Sequence, residues 1–310
     1  MEFIEALQRK DTEAILSVSK SDTHSHGGRG GNPEYISERT GVKLPTPPSK
    51  FDSLAHMQEW FEGYIKPICR GREGNVLRWE AGFAEARRNH IARLALSFGI
   101  GDIELVGGME PFMAILNGYK ELYCPKISFE PELAYSVYSN VRDETERISE
   151  FLACGFFRSI DLNSGENVQP FENFIPLYRK AEKYGLIKRA HVGEIGTADD
   201  VVKAVEVLEL DEVHHGVAAA TSESAMRFLV DRNIQLNICP SSNVMLNVVE
   251  SYKKHPIQTL FRNGVMVTIN TDDLLVFNQS IDKEYVNLYC AGTLTAEELN
   301  SIRLQGLAGN

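Results

Sequence analysis

Two histidines stand one residue apart in SDTHSHGGRGGN, at His24 and His26, directly before four glycines and an arginine. An H-x-H pair on an extended strand points both imidazoles to the same side of the pleat. Residues of matching chemistry recur along the chain: His191 with Glu194 in RAHVGE, the doublet His214–His215 in DEVHHG, and Asp272–Asp273 in VTINTDD. Three neutral imidazoles and one carboxylate, with a position left open for water, suit a catalytic divalent cation, most often zinc. Such a cation acidifies water towards neutral pH. A carboxylic acid beside it can donate a proton, and a further histidine can orient or deprotonate the water. The chemistry predicted is metal-assisted hydrolysis.

Each group also has a plain structural use. An H-x-H pair can be two strand residues in opposite environments, an Asp-Asp pair can cap a helix, Glu194 can be solvated, and a histidine doublet can lie on the surface. These uses are independent of one another, whereas a metal centre accounts for all four placements together.

Elements must then carry these groups to one place. The second half alternates: FFRSIDL (156–162), LIKRAHV (186–192), DEVHHG (211–216), IQLNICP (234–240) and VMVTINTDD (265–273) read as strands. Helical patterns separate them, one of them TADDVVKAVEVLEL with Thr197 as N-cap. In the first half ILSVSKSDTHSH, DIELVGG and KISFEPEL serve as strands, and MEFIEALQRKDTEAIL reads as an amphipathic helix. Alternation of this length predicts a parallel sheet. With about eight strands the expected fold is a TIM (β/α)8 barrel, one domain over 1–310. The polar groups fall at the C-terminal ends of the strands, the active face of such a barrel. Residues 27–52, with five glycines and four prolines, read as a long active-site loop.

Bulk properties narrow the partners. A formal net charge of −11 argues against a long nucleic acid but leaves room for a small anion. Five scattered cysteines without C-x-x-C spacing fit reduced thiols. No apolar run reaches membrane-span length, and no secretion signal opens the chain. A cytoplasmic location is expected.

H-S-H at 24–26, HVGE at 191–194, H-G at 215–216, CPSSN at 239–243 and NTDD at 270–273 resemble the adenosine/AMP deaminase family of metal-dependent amidohydrolases. The resemblance implies one Zn2+ per chain, held by His24, His26, His191 and Asp272. It implies that Glu194 protonates purine N1 while hydroxide attacks C6 and ammonia leaves. His215 would position the hydroxide and relay its proton, and Asp273 would hydrogen-bond N7. His214 has no assigned role. In DLNSGEN (161–167) the family pattern puts either Ser164 or Gly165 against the N3 edge.

Nucleoside-specific members typically continue H-x-H-L-D-G, with the acid on the ribose 5′-hydroxyl. Here Gly28 and Arg29 replace that text, so a carboxylate is lost and a guanidinium gained. Glycine N–H groups converging with Arg29 on a 5′-phosphate would explain so bare a loop, and Arg39, Lys43 and Lys50 could add charge. The expected substrate is a small-molecule purine nucleoside or nucleotide, with adenosine and AMP or dAMP both open. An amidohydrolase for another amino-heterocycle and an inactive binding subunit on the same barrel are the alternatives.

Overall fold

The computed structural model describes residues 2–309. Nine strand segments run in chain order: β1 (Lys20–Asp22), β2 (Ile91–Gly99), β3 (Ser128–Ser136), β4 (Ser159–Asn163), β5 (Ile187–Lys188), β6 (His191–Val192), β7 (Glu212–His215), β8 (Gln235–Ile238) and β9 (Met266–Ile269). Every pairing is parallel, and each strand neighbours the next in sequence. β5 and β6 form one stave interrupted at Arg189–Ala190. Across the gap Arg189 N–H donates to Ile160 O at 2.9 Å, and Ala190 O accepts from His214 N–H at 2.9 Å. The last stave meets the first where Asp272 N–H donates to His24 O at 2.9 Å, beside a Ser25–Asp272 bridge. The result is an eight-stave α/β barrel.

Helices cover the outside because their apolar stripes have nowhere else to go. Ala198–Leu208 begins at Thr197 with a capping box: Thr197 Oγ1 accepts from Asp200 N–H at 3.2 Å, and Asp200 Oδ2 accepts from Thr197 N–H at 2.8 Å. It buries Val201, Ala204, Val205 and Leu208, which recur at helical spacing. Among the described residues, no helix is long and apolar enough to cross a membrane.

Three expectations for the first half need correction. DIELVGG is not a strand: Ile100–Leu105 is helical, entered where Asp102 Oδ2 accepts from Gly99 N–H at 3.0 Å. The strand is IARLALSFG just before it, buried along nearly its whole length. Its two-sided burial removes the alternation that marks a half-exposed strand. The opening segment is two helices, Phe3–Arg9 and Thr12–Ser17, parted where Lys10 turns left-handed and Asp11 caps the second. The long loop contains a helix, Pro33–Thr40, with Asn32 capping it, Pro33 at its first position and Gly41 closing it. That Asn-Pro start and Gly stop is a local helix signature.

Between β1 and β2 the chain builds a cap. Ile36, Phe51, Met57, Trp60, Phe61 and Ile65 form a second apolar cluster with Leu275 and Phe277. It is separate from the main core and roofs one side of the barrel mouth. Inside the barrel, Arg189 is fully buried. Its Nε lies 2.8 Å from Glu212, and its Nη1 lies 3.0 Å from both Glu132 and Ser159.

Candidate active site

β1 ends at Asp22, and the chain continuing from it carries His24 and His26. His191 opens β6, His215 closes β7 and Asp272 follows β9, so four of the eight staves deliver polar side chains from their ends to one point. One ligand atom from each of His24, His26, His191 and Asp272 lies within 4.8 Å of the others. His26 Nε2 is 3.3 Å and His24 Nε2 3.7 Å from Asp272 Oδ1.

The rings are held so that a cation fits. His24 Nδ1 donates to Asn237 O at 3.0 Å, and His191 Nδ1 donates to Asp161 Oδ1 at 3.0 Å. Both rings therefore turn Nε2 inward, and these two nitrogens face each other at 3.0 Å. Two tetrahedral zinc ligands at about 2.0–2.1 Å would stand roughly 3.3 Å apart. Burial disfavours a charged His26, yet its hydrogen bond to Asp272 and the charge of Asp273 outweigh that and lift its pKa to about 9. A donor set of opposed lone pairs and a carboxylate calls for positive charge. A divalent cation supplies it, and the residues fit one. Hydrogen-bonded outer ends on metal-directed imidazoles are the usual means of fixing their tautomers.

Beside this quartet stand the acid–base candidates. Burial, then the charges of Asp272 and Glu166, push the Glu194 carboxyl well above the ordinary range, the direction a proton donor needs. Its Oε1 lies 3.4 Å from Ser242 Oγ and from Asn243 Nδ2, and 3.5 Å from His215 Nδ1. Burial lowers His215 to about 3, which leaves it neutral. His214 points the other way into the barrel: it stacks on His24 at 3.9 Å and meets Glu132 at 3.2 Å. Asp273 Oδ2 pairs with Arg29 at 2.8 Å, while its Oδ1 is buried without a hydrogen-bond partner. Asp273 starts the helix Leu274–Phe277 without capping it through its side chain, so helix capping does not explain the residue.

The glycine stretch is built differently from a phosphate nest. The N–H groups of Gly27, Arg29 and Gly30 donate to Ser97 O (2.8 Å), His26 O (2.9 Å) and His26 O (2.6 Å), so they fold back on the strand ends and do not converge. A Cβ at Gly27 would overlap the Phe98 ring, and one at Gly30 would come within 2.5 Å of Ser25 Oγ. These glycines are bare because the turn is packed against β2. Arg29 is held by Asp273, hydrogen-bonded to Gln58, and laid over the Phe61 ring at 4.4 Å. Arg39 pairs with Glu80, and Lys50 donates to Glu250 O; neither they nor Lys43 line the main cavity.

That cavity, about 1050 Å³, opens onto His26, His191, Glu194, His215, Asp272 and Asp273. Gly28, Arg29, Ser164 and Gly165 also border it. Ser164 adopts a left-handed conformation (φ 77°) and donates to Asn163 at 2.8 Å.

The sequence reading passed over several supporting residues. Glu166 accepts four consecutive backbone N–H groups, from Gly193, Glu194, Ile195 and Gly196, at 2.7 to 3.0 Å. It thereby fixes the backbone that carries Glu194. Asp161 orients His191. Both belong to DLNSGEN, where attention went to the residues between them. Asn243 closes CPSSN, a motif quoted without roles for its members.

The adenosine deaminase family profile matches residues 137–310. A Treponema pallidum protein assigned as an adenosine/adenine deaminase is 34% identical over 299 residues, covering 95% of this chain and 100% of that one. Among solved structures, the adenine deaminase of Arthrobacter aurescens superposes with a TM-score of 0.80 at 21% identity, covering 93% of this chain and 92% of that one. An amidohydrolase from Burkholderia ambifaria with bound Zn gives a TM-score of 0.78 at 16% identity over 96% of this chain and 87% of that one. The two structural likenesses show the barrel fold.

Proposed function

The chain belongs to the adenosine deaminase family of hydrolytic deaminases acting on adenine-type substrates, and from that premise we propose zinc-dependent deamination at C6 of an adenine nucleoside or nucleotide. The observation that carries the proposal is the meeting of His24, His26, His191 and Asp272 with Glu194 and His215 at one cavity wall. His24, His26, His191 and Asp272 would hold the metal. When bound, zinc supplies the acidification of a water molecule.

The remaining steps fall to this chain's side chains. Glu194, protonated through burial, donates to ring nitrogen N1 and makes C6 electron-poor. His215, neutral and buried, positions the attacking oxygen. Asp273 Oδ1 is an acceptor, and so is N7, so the bond it makes on that edge comes from the exocyclic amino group. Ser164 and Gly165 border the cavity where the N3 edge would lie. One domain spanning 1–310 supplies every part.

Three cations surround the Phe61 ring at the cavity wall: Arg29 at 4.4 Å, Arg78 at 5.7 Å and Lys66 at 6.0 Å from its centroid. This cluster supports a 5′-phosphorylated substrate. Free adenine is the second reading. The pairing of Arg29 with Asp273 and the inward-turned loop amides favour it, as do relatives named for adenine.

Turnover of adenine, adenosine, AMP and dAMP, followed by loss of adenine absorbance with and without chelator, tests the proposal. AMP preferred, with that preference lost in Arg29→Ala, places the phosphate beside Arg29. Preference for adenine selects the second reading. Full activity in protein shown to be metal-free, or none on any of the four, rejects the proposal.

A further inference from the structure

The geometry points to His255 as a positioning residue that decides which end of the Asn243 amide faces Glu194, and so which oxygen of that acid carries its proton. The inference rests on the role proposed above for Glu194. It starts from a group whose polarity is fixed. The backbone N–H of Ile257 can only donate, and it donates to His255 Nδ1 at 3.1 Å. That nitrogen holds no proton. Burial keeps the ring neutral, at 3% exposure and with its pKa lowered to about 3, so its single proton sits on Nε2.

His255 Nε2 lies 3.3 Å from Asn243 Oδ1 and donates to it. The amide carbonyl is thus turned towards His255, and its amino group towards the site. Asn243 Nδ2 stands 3.4 Å from Glu194 Oε1 and 3.3 Å from His215 Nδ1. Both of those atoms are therefore acceptors. Glu194 Oε1 also faces Ser242 Oγ at 3.4 Å. The acid's proton then belongs on Oε2, and the His215 proton on Nε2.

Turned over, Asn243 would present its carbonyl to Glu194 Oε1 and draw the proton onto that oxygen. The backbone would not resist this. Asn243 is fully buried in the helix Pro240–Met245, and its main chain is bonded to Cys239 O and Val249 N–H whichever way the amide lies. His255 is the group that breaks the tie. It lies outside the motifs that carry the site, at the end of the short 3-10 turn Tyr252–Lys254.

The test uses the full chain and whichever of adenine, adenosine and AMP the wild type turns over. His255→Gln retains an N–H for Asn243, whereas His255→Leu has none, and Asn243→Asp removes the amino group without touching His255. The inference expects His255→Leu and Asn243→Asp to lower kcat about tenfold or more at unchanged KM, a share of what a placed general acid supplies. It expects His255→Gln to stay within about threefold of wild type, and the Leu/Asp double variant to fall no further than Asn243→Asp alone, because both changes act on one unit. Equal losses in Gln and Leu, additive losses in the double variant, or an unaffected Asn243→Asp overturn it. The aspartate result decides alone if the leucine variant does not fold. A wild type inactive on all three substrates rejects the reading of Glu194. An active wild type with an unaffected His255→Leu rejects only the relay.

Discussion

Two polar clusters are buried in this barrel, one at its mouth and one deeper, and they are assembled on opposite principles. In the deeper one unlike charges meet: a single guanidinium, Arg189, lies 2.8 Å from Glu212, 3.0 Å from Glu132 and 3.9 Å from Glu130. At the mouth like groups meet beside two unlike pairs, His26 with Asp272 and Arg29 with Asp273. Nε2 faces Nε2 at 3.0 Å, and Glu194 sits among the charges of Asp272, Glu166 and Asp273. Burying unlike charges together balances most of the charge within the fold, although Arg189 Nη2 keeps no hydrogen-bond partner and such pairs stabilise a fold little compared with apolar packing. Burying like groups together is unfavourable unless an opposite charge joins them. Complementarity therefore marks the scaffold, and its deliberate absence marks the place for chemistry.

The contrast can be broken in four places. The largest effect is expected from His191→Ala, which removes one of the opposed nitrogens. It should abolish bound metal by elemental analysis and lower kcat/KM by about a thousandfold, several kcal/mol of barrier. Arg189→Met should do the reverse. With Glu132 and Glu212 left buried and unpaired, unfolding in denaturant should show a loss of about 3–5 kcal/mol. Metal content of the folded fraction should persist. If the two variants behave alike, the distinction between the clusters is wrong.

Glu166→Gln sharpens the comparison, because Glu166 is a mouth residue with complementary partners. An amide cannot accept from four N–H groups, so about 2–3 kcal/mol should be lost. Activity should fall with it as the Glu194 backbone loosens. Unfolding and kcat measured side by side check this.

The smallest effect concerns Glu284, buried behind the site. Burial lifts its pKa to about 8, against hydrogen bonds from Ser241 and with help from the charges of Asp22 and Asp272. The folded chain then keeps a proton that the unfolded chain releases near 4.5. Stability therefore falls as pH rises through that window. Glu284→Gln should flatten the slope, by about 1.4 kcal/mol per pH unit at most, in unfolding midpoints taken inside that window.

Legibility in the sequence followed the same division. His24 and His26, His191 and Glu194, His214 and His215, and Asp272 and Asp273 could be grouped because each falls at a predicted strand end and stave ends of a parallel barrel share one face; the family resemblance singled out the ligand quartet. β7 to β9 were readable since short loops and capped helices separate them. β2 was not, because IARLALSFG is buried on both faces and mimics helix composition. Arg29 illustrates a different blindness. Its charge was visible but not its partner, Asp273, which lies 244 positions away in the chain. The glycines around it suggested ligand contact, whereas at Gly27 and Gly30 the Phe98 ring and Ser25 leave no room for a side chain. Glu166 was hidden because its partners are backbone N–H groups, which carry no residue signature, and His255 because its partner, the Asn243 side chain, lies in a different element.

His215 and Asp272 both hold left-handed backbone conformations, at φ 64° and 57°. Residues with side chains adopt that geometry at an energetic penalty, and asparagine tolerates it better than most. A laboratory selection for heat tolerance alone should therefore drift towards asparagine at these two positions, yielding sturdier and inert proteins. Breeding a robust catalyst from this chain means screening for turnover at every round.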